Sequence, residues 1–99
     1  MEGPTHVPVL LREVLEALRP ERGGLYVDAT LGLGGHAEAM LDASPAVRLV
    51  GIDRDPAALA VAGERLGRFG ERFVAVEGRH EELALHLDRL GISEVDGIL

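Results

Sequence analysis

The sequence predicts an α/β fold, a parallel sheet with helices on both faces that runs as far as a fourth strand. Three observations lead there. Short apolar runs alternate with longer segments of helical content. The first run passes directly into a glycine-rich turn, Asp28-Ala-Thr-Leu-Gly-Leu-Gly-Gly-His36, and then into a helix-like segment. The second run ends in an acid, Asp53, 21 residues after Gly32. Strand, glycine turn and helix in that order form the device with which parallel sheets hold nucleotide-like ligands, because a residue without Cβ lets the backbone bend sharply and come close.

Each element has its own signal. Pro8 can open a helix, and apolar residues at 10, 11, 14, 15 and 18 give Val9 to Leu18 one apolar stripe, ended by Pro20 and Gly23-Gly24. Leu25 to Ala29 reads as the first buried strand. A helix from about His36 to Ala43 stops near Ser44-Pro45, and Arg48 to Asp53 is a second strand. Asp55 suits the N-cap of the next helix and Pro56 its first position. Leu59, Ala62, Gly63 and Leu66 give that helix a face, which ends between Gly67 and Gly70. Phe73 to Glu77 is a third strand, closed by Gly78. Glu81 to Leu90 is a helix stopped by Gly91, and Val95 to Leu99 is a fourth strand still running at the last residue. The alternation argues for parallel strands joined by right-handed crossovers, and the chain reads as the front part of a longer protein.

Composition narrows the function classes. Ninety-nine residues make one domain at most, and 46% hydrophobic content suffices for a core. No apolar run approaches the ~20 residues that span a bilayer, and the N-terminus lacks the pattern of a signal peptide. Cysteine is absent, which removes disulfides and thiolate metal sites and suits a cytoplasmic protein. With a net charge of −7 the chain is not itself a basic nucleic-acid surface. All ten basic residues are arginine, and asparagine and glutamine are missing as well, a bias expected of a heat-adapted source or of a GC-rich genome.

Gly32-Leu-Gly34-Gly35-His36-Ala37 fits GxGxxA, and with Asp53 behind it an NAD(P)-binding dehydrogenase domain is one reading. Asp28 favours another. A carboxylate four residues before the first glycine suits a cationic amino-acid end of a ligand and would repel a pyrophosphate. Asp53 can accept hydrogen bonds from both hydroxyls of a ribose. A third reading is a non-catalytic nucleotide-binding module. Asp28 as a turn cap and Asp55 as an N-cap are the structural alternatives. His36 is expected to offer its backbone N–H rather than its ring, and Arg54 and Arg79, which could contact substrate, are expected to be solvated. His6, His80 and His86 are too scattered for a metal site. His80 lies three residues after the third strand, where its ring could stack on a purine. No Ser-His-Asp order, catalytic carboxylate pair or zinc motif is present.

Four blocks together resemble a known family: His6-Val-Pro-Val-Leu-Leu-Arg-Glu-Val-Leu15, Tyr26-Val-Asp-Ala-Thr-Leu-Gly-Leu-Gly-Gly-His36, Gly51-Ile-Asp-Arg-Asp-Pro56 and Val95-Asp-Gly-Ile-Leu99. In order and over nearly the whole chain they are similar to the bacterial 16S ribosomal RNA cytosine-N4 methyltransferases of the MraW/RsmH type. The resemblance implies a class I methyltransferase (Rossmann-like) fold cut off after its fourth strand, with S-adenosyl-L-methionine as cofactor. The implied acceptor is the N4 amine of a cytosine in the decoding region of 16S rRNA. Gly34, Gly35 and His36 would line the methionine part of the cofactor, with Asp28 and Gly32 in the same loop, and Asp53 would hold the ribose hydroxyls. His80 stands where the family usually has a phenylalanine near the adenine. The catalytic residues, the substrate domain and the contacts with rRNA and the small ribosomal subunit are expected beyond Leu99, so that residues 1–99 alone would be inactive.

Overall fold

Residues rich in Val, Leu and Ile, alternating between two faces, build a four-stranded parallel sheet. Its strands are β1 (Gly24–Asp28), β2 (Val47–Asp53), β3 (Phe73–Glu77) and β4 (Gly97–Ile98), in the order β3-β2-β1-β4. The computed structural model describes residues 15, 16 and 18–99. Most of the helix expected over Val9 to Leu18, like most of the block from His6 to Leu15, lies outside the described residues. Leu15, Glu16 and Leu18 are helical.

Three α-helices follow among the described residues: α1 (Gly35–Ala43), α2 (Pro56–Leu66) and α3 (Leu83–Arg89). Helices α1 and α2 cover one face of the sheet, where Tyr26 and Leu49 meet Ala37, Met40, Leu41, Ala62 and Leu66. On the opposite face Val27, Val50 and Ile52 pack with Leu83 and Leu87 of α3. The chain therefore winds β1-α1-β2-α2-β3 outward, then crosses under the sheet through α3 and places β4 on the far side of β1. That reversal of direction is the switch point at which such sheets open a crevice beyond the carboxyl ends of their strands.

Local chemistry sets the element boundaries. Asp55 caps α2, its Oδ1 accepting the Ala57 N–H at 2.9 Å, with Pro56 next in line as the sequence predicts. Arg72 closes the other end of the layer. Its Nη2 donates to the carbonyls of Leu41 (2.7 Å) and Ser44 (2.6 Å) and its Nε to that of Val47 (3.0 Å). The guanidinium thus satisfies carbonyls that the end of α1 leaves without helical partners. Two expectations are adjusted. The last helix begins as a 3-10 turn, His80–Glu82, closed by the Glu82 N–H on the Arg79 carbonyl at 3.1 Å, and becomes α-helical only at Leu83. The fourth strand pairs over Gly97–Ile98 and not from Val95. There Asp96 substitutes for the ladder, since its carboxylate accepts the Leu25 N–H at 2.8 Å while its own N–H reaches the Leu25 carbonyl at 2.7 Å.

The β1–β2 register shapes the glycine turn. Asp28, the last residue of β1, stands opposite Gly51, two residues before β2 ends. The turn therefore continues alongside β2, and the Leu31 N–H donates to the Ile52 carbonyl at 2.9 Å. The Leu31 side chain is buried directly over Gly51, where a Cβ would lie 2.7 Å from Leu31 Cδ1. Glycine at 51 is what lets the turn lie flat on the sheet. Gly51→Ala should cost about 1–3 kcal/mol in urea unfolding through overpacking. Combined with Leu31→Ala it should cost less than the sum of the two single changes, because the smaller side chain vacates the contested space.

Candidate functional site

The carboxyl ends of β1, β2 and β3 converge on a cleft of about 300 Å3. Ala29 and Thr30 after β1, Asp53 and Arg54 after β2, and Gly78 to Glu81 after β3 form its walls. Asp53 lies at the centre. Its Oδ2 accepts the Gly32 N–H at 2.8 Å and its Oδ1 the Asp55 N–H at 2.9 Å, so one side chain joins the glycine turn to the start of α2. The Asp53 carbonyl accepts the Gly78 N–H at 3.0 Å, which brings in the loop after β3. The two N–H groups on the carboxylate, first that of Asp55 and then that of Gly32, hold its pKa below the ordinary 3.8. Each oxygen keeps a second acceptor position, so a charged, partly exposed acceptor faces the cleft.

Asp28 is different. It is 3% exposed beneath the turn, and its Oδ1 accepts the Thr30 N–H at 3.2 Å. The turn-capping role foreseen as an alternative is therefore present. Burial pushes its carboxyl above the ordinary 3.8, against the Thr30 N–H and the nearby His36, which pull it down. Among the described residues its second oxygen accepts no hydrogen bond, which leaves a buried acid with unused capacity for a cation or a donor.

The glycines divide by position. Gly32, at φ +55°, has open space where a Cβ would stand, so nothing of the protein crowds the backbone there. Gly34, at φ +92°, is the N-cap of α1 and lies against Leu66 and Ala62 of α2. Gly35 and His36 form the first turn of α1. Gly34, Gly35 and His36 do not line the cleft around Asp53, and they stand on the side of the turn towards α1. His80 does line it, 61% exposed, with Nδ1 3.2 Å from Glu81 Oε1. Arg54 and Arg79 are exposed as expected, and both also border the cleft. The sequence reading weighed the two arginines as substrate contacts and set them down as solvated, and it passed over Thr30, Gly78 and Glu81. The available signal was position alone, since each directly follows a strand end. No group of three or more His, Cys, Asp or Glu able to hold a metal occurs among the described residues. None of the described helices is long and apolar enough to cross a membrane.

Comparison with known proteins agrees with this geometry. Residues 3–99 match the family model of the MraW methylase family. The ribosomal RNA small subunit methyltransferase H of a Nocardioides species is 54% identical over 102 residues, covering 100% of this chain and 32% of that protein. Its counterpart from Geobacter sulfurreducens is 55% identical over 96 residues, covering 96% of this chain and 31% of that protein. The chain spans about a third of the length of the curated relatives it matches. Among solved structures, precorrin 8w decarboxylase from Methanobacterium thermoautotrophicum superposes with a TM-score of 0.72 at 24% identity, covering 98% of this chain and 49% of that one. A SAM-dependent methyltransferase from Neisseria gonorrhoeae gives 0.72 at 16% identity over 88% of this chain and 38% of that one. These structural likenesses establish the fold, which is that of the class I methyltransferases.

The two acids should act on stability with opposite signs. Asp53 titrates below its ordinary value in the fold, so its contribution is complete above pH 3.8 and is lost as pH falls further. Asp28 titrates above its ordinary value, so its contribution is complete below 3.8 and is lost as pH rises through the folded pKa. Asp53→Asn should therefore cost about 1 kcal/mol at pH 7, the figure expected for one partly exposed charged acceptor. Asp28→Asn should raise the melting temperature at pH 7. In thermal unfolding at pH 3 both differences should shrink.

Proposed function

This chain belongs to the MraW methylase family, and from that premise we propose that it supplies the first half of an S-adenosyl-L-methionine site in an rRNA methyltransferase. The observation that carries the reading is the Asp53 carboxylate, held ionised at the end of β2 with acceptor capacity turned to the cleft and with the glycine turn pinned to it. The residues fit the cofactor. Asp53 would take the ribose hydroxyls, and the open side of Gly32 leaves room for the ligand to lie against backbone. Asp28, with one oxygen unpartnered among the described residues, would supply negative charge beneath the methionine end, whose amino group is cationic. Gly34, Gly35 and His36 would line the methionine part, with the N–H groups of Gly35 and His36 at the start of α1 offered to its carboxylate. His80, exposed on the loop after β3, would lie along the adenine.

When bound, S-adenosyl-L-methionine offers an electrophilic methyl group on a sulfonium. The task of these residues is to hold and orient it, through two acids and a glycine cradle. The acceptor we propose is the exocyclic N4 amine of a cytosine in the decoding region of 16S rRNA. That amine is a poor nucleophile because its lone pair is delocalised into the ring, so the reaction depends on alignment and on acceptors for its N–H groups. The base has to be turned out of its stack to reach a pocket of this kind. Those acceptors and the rRNA contacts are assigned to residues following β4, in keeping with the net charge of −7 here. Residues 1–99 then form the N-terminal portion of the methyltransferase domain and are inactive by themselves.

In the full-length protein S-adenosyl-L-methionine should raise the melting temperature, NAD should leave it unchanged, and Asp53→Ala should abolish the shift. Protection by NAD and not by S-adenosyl-L-methionine would replace this reading with a dehydrogenase. Unchanged ligand binding by Asp53→Ala would point to a module in which the pocket is structural.

A further inference from the structure

His86 lies on α3, outside the cleft, and is 6% exposed, deep for a residue type of intermediate burial. Its ring meets the loop after β3 in two ways. Nε2 is 3.2 Å from the Arg79 carbonyl oxygen. A carbonyl can only accept, so Nε2 carries a proton and the tautomer is set by that contact. The same carbonyl accepts the Glu82 N–H at 3.1 Å, which starts the 3-10 turn His80–Glu82. The ring also packs against Gly78, where a Cβ would collide with Cε1 and Nε2. Gly78 in turn donates its N–H to the Asp53 carbonyl at 3.0 Å. The ring of His86, the wall from Gly78 to Glu81 and the backbone of Asp53 thus form one continuous support.

We propose that His86 is a positioning residue for the ligand-facing wall Gly78–Glu81, setting the affinity of the cleft for the adenosine part of its ligand without touching it. This rests on the reading of the cleft as an adenosyl site. The wall has little else to hold it. His80 and Glu81 are each 61% exposed and pair only with one another among the described ion pairs. Arg79 is exposed, and no side chain caps the turn. Between the Asp53 carbonyl on one side and α3 on the other, the His86 ring is the side chain that fixes where Gly78 and Arg79 stand. The absence of a Cβ at Gly78 is the space that the ring uses.

The test is titration calorimetry on the full-length protein with S-adenosylhomocysteine and with 5′-methylthioadenosine, which shares the adenosine but lacks the amino-acid end. His86→Leu keeps apolar bulk but removes the donor, and should weaken both ligands equally, by about 10-fold, the worth of one hydrogen bond. His86→Gln, which can still donate to the Arg79 carbonyl, should recover most of that loss. Gly78→Ala approaches the same contact from the other partner, keeps the histidine, and should weaken both ligands to a similar degree should His86→Leu fail to fold. Wild-type affinity in a folded His86→Leu or in Gly78→Ala would overturn the proposal, leaving the ring as core packing alone. A loss confined to S-adenosylhomocysteine would overturn it too, since the effect would then lie at the amino-acid end. Failure of the wild-type protein to bind either ligand would instead remove the adenosyl reading on which it stands.

Discussion

The Asp53 carboxylate is where three segments of the chain meet, and the arrangement of the cleft depends on it. Its two oxygens accept N–H groups from the glycine turn and from the start of α2, and its backbone carbonyl accepts one from the loop after β3. The Gly32 and Asp55 donors belong to strand-end loops, where the sheet ladder offers them no partner, and would otherwise turn to water. One ionised side chain therefore replaces the hydrogen-bonding order that the strands lose as they end. It also explains why the site is preformed in the protein alone. The acceptor proposed to hold a ribose already orders the loops around it, and charge-assisted bonds of this type are about twice as strong as neutral ones.

That carboxylate can reach Gly32 only because the turn lies low on the sheet, and packing beneath it decides this. Leu31 is buried over Gly51, with its N–H on the Ile52 carbonyl, so the apolar core and the glycine turn are fitted to each other residue by residue. The glycine content has two separate origins here. Gly51 is required by the protein's own packing, whereas Gly32, with nothing near its missing Cβ, keeps backbone accessible from outside.

Much of the fold could be read from the sequence because its strands are short apolar runs between strong punctuation. β3 was read at its observed limits, and the cap and first position of α2 followed from Asp55-Pro56. β4 was read too long because Asp96 takes the Leu25 N–H with its side chain in place of a ladder carbonyl, which hydrophobicity cannot show. In the site, Asp53 and the glycine turn could be found from spacing. Arg54 and Arg79 could not, because an exposed arginine looks the same in sequence whether it faces bulk water or borders a cleft. Asp28 was legible as an unusual acid, but not its burial, which depends on how the turn folds back over the strand end.

The charge distribution follows the same division. Arg65 and Arg68 are engaged with Glu38 and Asp42 across α1 and α2, and Arg72 is engaged with carbonyls at the lower end of the sheet. Arg54 and Arg79 stand at the cleft instead, in none of the ion pairs among the described residues. Asp28, beneath the glycine turn, is an acid that burial keeps costly and that the Thr30 N–H and the nearby His36 only partly compensate. A protein selected for stability alone would replace such a group with a neutral one of the same shape. Its place beneath a turn whose backbone is open at Gly32 makes sense if stability is exchanged for charge complementarity with a cationic ligand. On the proposed reading the glycine turn and its two acids would act as one device, Asp53 fixing the geometry and Asp28 setting the sign of the charge it receives.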